Sequence, residues 1–136
     1  MSGASLDFLD IGLVLQYNRM VILEISLAKA PLSDAMIEEV SKLFLALGDP
    51  SRLRILRCLL EATTPLSQGA VAEQTGLSQA NASKHLAFLV RVGLALRAPE
   101  GNTVYYSPVL PIVEEVCTLV CGHVAERVKA AYQAIK

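Results

Sequence analysis

The chain has 136 residues, of which 53% are hydrophobic and 18% charged, and a formal net charge of −1. This length and composition fit one compact domain and exclude a disordered chain. Three cysteines are an odd number and argue against a disulfide framework. No apolar run is long enough to span a membrane, and no basic segment precedes an apolar one at the N-terminus. We therefore expect a cytoplasmic protein with no membrane partner.

The charge is unevenly distributed along the chain. Residues 1–48 carry three basic and six acidic side chains. Positive charge gathers in the middle third, at Arg52, Arg54, Arg57, Lys84, Arg91 and Arg97. Because the whole chain is nearly neutral, any contact with nucleic acid must come from this local basic region.

The N-terminal 35 residues are predicted to be an extension of unknown role. Residues 6–30 are apolar without a clean period, and the alternation at Leu23–Leu27 favours a short strand, with a helix as the alternative. A first helix is predicted from the capping residues Ser33 and Asp34 to Gly48. Asp49 and Pro50 then begin a second helix, which is predicted to end near Glu61.

The following residues predict a winged helix-turn-helix. Ser67 can cap a short helix that ends at Gly76, and a second helix is predicted over 79–92. Two β-prone runs, 94–97 and 103–106, flank turn residues and predict a hairpin. A long helix over 110–134 completes a mainly α fold of about five helices plus a wing, so 36–136 is the predicted DNA-binding and dimerisation domain.

The first and last helices carry more apolar surface than one small domain can cover. The last helix places valines along one side, at Val113, Val116, Val120, Val124 and Val128. A homodimer interface through the first and last helices is the natural use of this surface.

Three signatures resemble the ArsR family of small winged-helix repressors. They are the run 43–56 (LFLALGDPSRLRIL), the run 76–89 (GLSQANASKHLAFL), and the wing from Val92 to Ser107. The resemblance covers about residues 36–130. It implies a homodimer that binds an inverted-repeat operator in double-stranded DNA, represses nearby genes, and is released by an inducer.

The recognition helix of such a protein needs polar side chains in its first turns, because these turns meet base edges in the major groove. Candidates for DNA contact are Ser78, Gln79, Asn81, Ser83 and His85, with Lys84, Arg91, Arg97, Arg52 and Arg54 for phosphates. A merely solvated face is the alternative, and His85 could instead hydrogen-bond inside its own domain. The wing tip, 99–102, lacks the arginines of many relatives, which predicts moderate, salt-sensitive binding.

The cysteines are candidates for sensing an inducer. Cys117 and Cys121 are four residues apart and share a face of the last helix, while Cys58 lies on the second helix. Two or three thiolates suit a soft metal or metalloid ion and equally suit oxidation or reactive sulfur. Packing in the core is the alternative.

The resemblance implies two further arrangements. Some relatives link a cysteine of the second helix to one of the last, and Cys121 fits, but Cys58 falls one position late, where Arg57 stands. That offset is about 100° on a helix and turns the thiol away. His123 and Glu126 match half of another family metal site and are a weaker candidate, because two donors rarely hold Zn²⁺.

The sequence also bears on two other classes of function. A regulator without a small-molecule effector, controlled through a protein partner or the N-terminal extension, is the alternative to an inducible repressor. An enzyme is rejected, because the sequence has no glycine-rich phosphate loop, no recognisable catalytic triad and only two histidines.

Overall fold

The computed structural model describes residues 31–136, so the strand or helix predicted within 6–30 lies outside the described residues. The chain divides into two units, Met1–Ile37 and Glu38–Lys136. In the first unit, the Ser33 hydroxyl accepts a hydrogen bond from the Met36 N–H at 3.3 Å, which caps a helix as predicted. Apart from the first turn of the helix that begins at Asp34, the structural features that follow belong to the second unit.

The described residues form five helices, as the sequence predicts. They are α1 (Asp34–Leu47), α2 (Pro50–Glu61), α3 (Gln68–Thr75), α4 (Gln79–Arg91) and α5 (Ile112–Ile135). Their ends follow local chemistry. The side chains of Asp49, Ser67 and Ser78 cap α2, α3 and α4 by accepting backbone N–H groups three residues on. Gly76 ends α3 in the left-handed region, at φ +72°.

The wing is a three-stranded antiparallel sheet in the order β1–β3–β2. Its strands are β1 (Leu66–Ser67), β2 (Ala95–Glu100) and β3 (Thr103–Pro108). The predicted hairpin is confirmed, but its turn is tighter than predicted, because the strands continue until Glu100 pairs with Thr103. Gly101 has φ +61°, which the first central residue of a type II′ turn requires. The sequence analysis missed β1, whose partner strand is far away in the chain.

The core lies between α2, α3, α4 and the sheet. Its largest fully buried side chains are Ile55, Leu56, Leu59, Val71, Leu86, Leu89, Leu94 and Val113. Val71 of α3 and Leu86 and Leu89 of α4 are fully buried and pack the two helices of the helix-turn-helix together. One face of α4 is thereby committed to the core, and its other face remains exposed.

The last helix changes its environment along its length. Val113 is 1% exposed and Cys117 packs against the core, whereas Val120, Val124 and Val128 are more than half exposed. The C-terminal part of α5 therefore presents an apolar surface to solvent. No helix within residues 31–136 is long and apolar enough to cross a membrane.

Candidate DNA-binding surface and thiol groove

The outward face of α4 is polar over its first two turns. Gln79, Asn81, Ser83 and Lys84 are all exposed, while Ala82 between them is fully buried. Ser78 is also exposed, and its hydroxyl accepts the Asn81 N–H at 3.1 Å, so it caps the helix. These turns offer hydrogen-bonding side chains on a rigid support, as major-groove reading requires.

The start of α4 is tied to the start of α3 by a pair of glutamines. The Gln68 amide donates to the backbone carbonyl and to the side-chain oxygen of Gln79, both at 3.4 Å. This leaves the Gln79 amide N–H groups as the donors that remain available to a partner. The contact fixes the first turn of α4 relative to α3.

His85 and Arg52 lie where α4 meets the beginning of α2. His85 is half-buried. The pKa of the Asp49 carboxyl is lowered, mainly by the hydrogen bond from the Arg52 N–H, and further by the charges of Arg52 and His85. His85 thus lies near the Asp49 carboxyl of its own domain. This position fits the alternative that His85 interacts inside its own domain.

Arg52 makes its contacts inside the domain. Its guanidinium donates to the carbonyl oxygens of Ala46 at 2.7 Å and Leu45 at 2.9 Å, both in the last turn of α1. The same guanidinium lies 4.6 Å from the centroid of the Phe88 ring on α4. Arg52 therefore connects the end of α1 to α4.

The basic side chains around α4 differ in the contacts that they make. Lys84, Arg91 and Arg97 are exposed. Arg91 also lies over the Phe88 ring, at 5.2 Å from its centroid. Arg97 is on β2, opposite Tyr106 in the register, at the base of the wing. The positions of these cations keep them available as phosphate candidates.

Cys117 and Cys121 open into one groove between α2 and α5. The groove has a volume of about 570 Å³ and is lined by Leu53, Arg54, Arg57, Leu60, Cys117, Thr118 and Cys121. Cys117 is half-buried and Cys121 is exposed. Burial raises the pKa of the Cys117 thiol, and a negative charge at Cys121 raises it further. We call this space the thiol groove.

The Cys58 thiol lies apart from the other two. Its Sγ donates to the Gln74 side-chain oxygen at 3.3 Å, and it lines a separate hollow of about 260 Å³ towards α3. Burial, and to a lesser extent the charge of Glu61, raises the pKa of this thiol. Arg57 occupies the position that faces the thiol groove, as the one-residue offset predicts.

The weaker candidate for a metal site is the pair His123 and Glu126. Both side chains are exposed on α5. Within residues 31–136 there is no group of three His, Cys, Asp or Glu side chains placed to hold a metal ion. Within the described residues of one chain, the two thiols of Cys117 and Cys121 are therefore a better candidate than His123 and Glu126 for binding a soft ion or for oxidation.

The arginines of the thiol groove were missed as a functional feature by the sequence analysis. Arg54 and Arg57 are three residues apart on α2, and this spacing places them on one face of the helix. From the sequence alone, these two arginines are identified only as members of a basic region. Their position beside the thiols depends on how α5 packs against α2.

Comparison with known proteins identifies the class. Residues 47–97 match the family described as "Helix-turn-helix domain". The chain is 31% identical over 94 residues to the "probable mercury resistance operon repressor" of Streptomyces lividans, covering 69% of this chain and 74% of that protein.

Two solved structures are also similar. One is the homodimeric winged helix-turn-helix DNA-binding domain of Mb0332 from Mycobacterium bovis, described as "a possible ArsR-family transcriptional regulator". It is 29% identical, covers 74% of this chain and 94% of that one, and gives a TM-score of 0.66. The other is the AntR antimony-specific transcriptional repressor, at 28% identity, 76% and 94% coverage and a TM-score of 0.64.

The fold and these relatives define a DNA-binding transcriptional regulator of the winged helix-turn-helix class, and not an enzyme. The resemblance found in the sequence is confirmed. The chain belongs to the ArsR family of transcriptional regulators, and it is related to repressors of metal resistance.

Proposed function

We propose that the protein is a homodimeric repressor that inserts α4 into the major groove of an inverted-repeat operator. The observation that carries this proposal is the exposed polar face at the start of α4, on a helix whose opposite face is locked in the core. Gln79, Asn81 and Ser83 would meet base edges, and Lys84, Arg91 and Arg97 would meet phosphates. Such a regulator acts where its DNA is, in the cytoplasm.

The proposed dimer interface is the apolar surface of α1 and α5. Its exposed members are Val40, Phe44, Leu45, Val120, Val124, Val128, Tyr132 and Ile135. A surface of this kind is costly to leave in water, and a two-fold axis would bury it against its own copy. The homodimeric Mb0332 domain supports this assembly by analogy.

We further propose that a thiol-dependent signal at Cys117 and Cys121 releases the repressor from DNA. Both thiols open into one groove against α2, and α2 packs on α3 and α4. A soft ion or an oxidant bound there would act on the junction between the dimer helix and the DNA-reading helices. The antimony-specific AntR and the mercury resistance repressor support a soft ion as the signal. Cys58 would then be a packing residue.

The test is operator binding by fluorescence anisotropy, with DNA from upstream of the gene for this chain. The reduced protein is titrated in turn with As(III), Zn²⁺, Cd²⁺ and a polysulfide. We expect release by one agent, which Cys117→Ser with Cys121→Ser abolishes and the matched control Cys58→Ala retains. Full release of the double variant would overturn the assignment of the thiols. Tight binding undisturbed by any agent would favour the alternative, a regulator controlled through a partner or through residues 1–35.

A further inference from the structure

The thiol groove carries positive charge that the DNA contact proposed above, through Lys84, Arg91 and Arg97, does not use. Among residues 31–136, Arg54 and Arg57 are the charged side chains that line it, and the same two arginines also line the hollow of Cys58. Both side chains are exposed. Arg57 is held in place by an ion pair with Glu61, with Nε and Oε1 at 2.7 Å. Two guanidinium groups therefore border the space into which two thiols open.

The charge of Arg57 is felt at two groups, the Glu61 carboxylate and the exposed Cys121 thiol. The pKa of Arg57 is raised mainly by its hydrogen bond and charge interaction with Glu61, and also by a negative charge at Cys121. Any anion that approaches Cys121 through the groove meets the same positive charge.

The remaining walls are suited to an apolar body. Leu53 is 42% exposed on the groove side of α2, and Leu60 is half-buried beside it. A volume of about 570 Å³ lies within the range of small-molecule sites. Apolar walls with a cationic border match a molecule that has an apolar part and an anionic group.

We propose that the thiol groove selects anionic, thiol-reactive compounds, which Arg54 and Arg57 attract and orient for reaction at Cys121. This deepens the proposed thiol-dependent function and rests on it for its biological role. For an anionic organic disulfide, the Cys121 thiolate attacks one sulfur of the reagent. A new S–S bond forms to Cys121, the S–S bond of the reagent breaks, and its electron pair leaves with the other half as a thiolate.

Cys121 is the reacting group because it is accessible. Cys117 is half-buried, and its raised pKa leaves less thiolate at neutral pH. Cys58 donates its thiol hydrogen to Gln74 and is almost fully buried. The two arginines act on the approach of the reagent, so their effect depends on its charge and not on its disulfide chemistry.

The test compares two reagents with the same chemistry and different charge. Dithiobis(nitrobenzoate) is a dianionic disulfide, and dithiodipyridine is neutral. The full chain carries Cys58→Ala and Cys117→Ser, so that only Cys121 reacts, and the release of the coloured thiol gives the rate. Arg54→Gln with Arg57→Gln should lower the rate with the anionic reagent about tenfold and leave the neutral reagent within about twofold. Glu61→Gln should raise the anionic rate, and added salt should lower it.

Arg127→Gln with Lys129→Gln is the matched control, since it removes two exposed positive charges from α5, the helix of Cys121, outside the groove. An equal change with both reagents, or no change with either, would overturn the proposal. Operator binding by the Cys121-modified protein is measured in parallel. Charge selectivity with undiminished operator binding would leave the groove proposal standing and refute release by modification of Cys121, whereas release without charge selectivity would do the reverse.

Discussion

The winged-helix body, meaning α2, α3, α4 and the sheet, has helices with the same kinds of apolar residues at the same spacing as the last helix, α5. The burial of these residues nevertheless differs between the two regions. Leu56, Leu86 and Leu89 of the body are fully buried. On α5, Val128 is 64% exposed and Ile135 is 85% exposed. The body supplies its own opposing helices and sheet, whereas the described residues leave the second half of α5 without an opposing element. An amphipathic helix thus indicates that it needs a partner, and within residues 31–136 the fold supplies one for the body and none for the second half of α5.

The largest expected effect is in the body. Leu86→Ala should lower the free energy of unfolding by about 2–5 kcal/mol, because a fully buried leucine of α4 leaves a cavity. Leu119→Ala is the matched change on α5, where the side chain is 75% exposed, and should have little effect. Urea unfolding followed by circular dichroism measures both. Equal losses for the two variants would break the distinction between body and last helix.

The next effect concerns the exposed half of α5. Val124→Asp with Val128→Asp should weaken dimerisation about a hundredfold or more, because the new carboxylates would be buried without partners. Ala130→Asp introduces the same charge on the opposite side of the helix and serves as the control. Sedimentation equilibrium gives the monomer–dimer constant. A double variant that remains as dimeric as the control would show that this surface is not the interface.

The DNA-reading face should respond in two distinguishable ways. Asn81→Ala should cost about 1–3 kcal/mol of operator binding and leave non-specific binding unchanged, as expected for a base contact. Lys84→Ala should weaken binding to all sequences and reduce the salt slope by about one, as expected for a phosphate contact. Anisotropy titrations over a salt series measure both. If both variants weaken all sequences alike, Asn81 does not read bases.

The smallest effect tests the connection between α1 and α4. Arg52→Lys keeps the charge and loses the forked hydrogen bonds to Ala46 and Leu45, so we expect operator affinity to fall about threefold to tenfold. The salt slope should stay unchanged, because no phosphate contact is lost. Arg54→Lys is the control. A reduced slope for Arg52→Lys would assign Arg52 to a phosphate instead of to the positioning of α4.

Local chemistry made the helices predictable. The ends of α2, α3 and α4 follow from Asp49, Ser67, Ser78 and Gly76, because a cap forms between residues three positions apart. The polar face of α4 is equally local, since periodicity alone separates it from Leu86 and its neighbours. The candidate DNA-binding residues therefore came from the sequence, together with the family.

The relations between distant segments came only from the tertiary structure. Strand β1 pairs with Tyr105 and Tyr106, about forty residues away, and a two-residue strand has no periodicity to detect. The guanidinium of Arg52 was a free cation in the sequence and is a structural link in the fold. Short-range capping and periodicity fixed the helices and their faces. Packing across the chain decided that Cys58 turns towards α3 and that Arg57 and Cys121 line the same groove, because such arrangements depend on how separate helices are oriented in space.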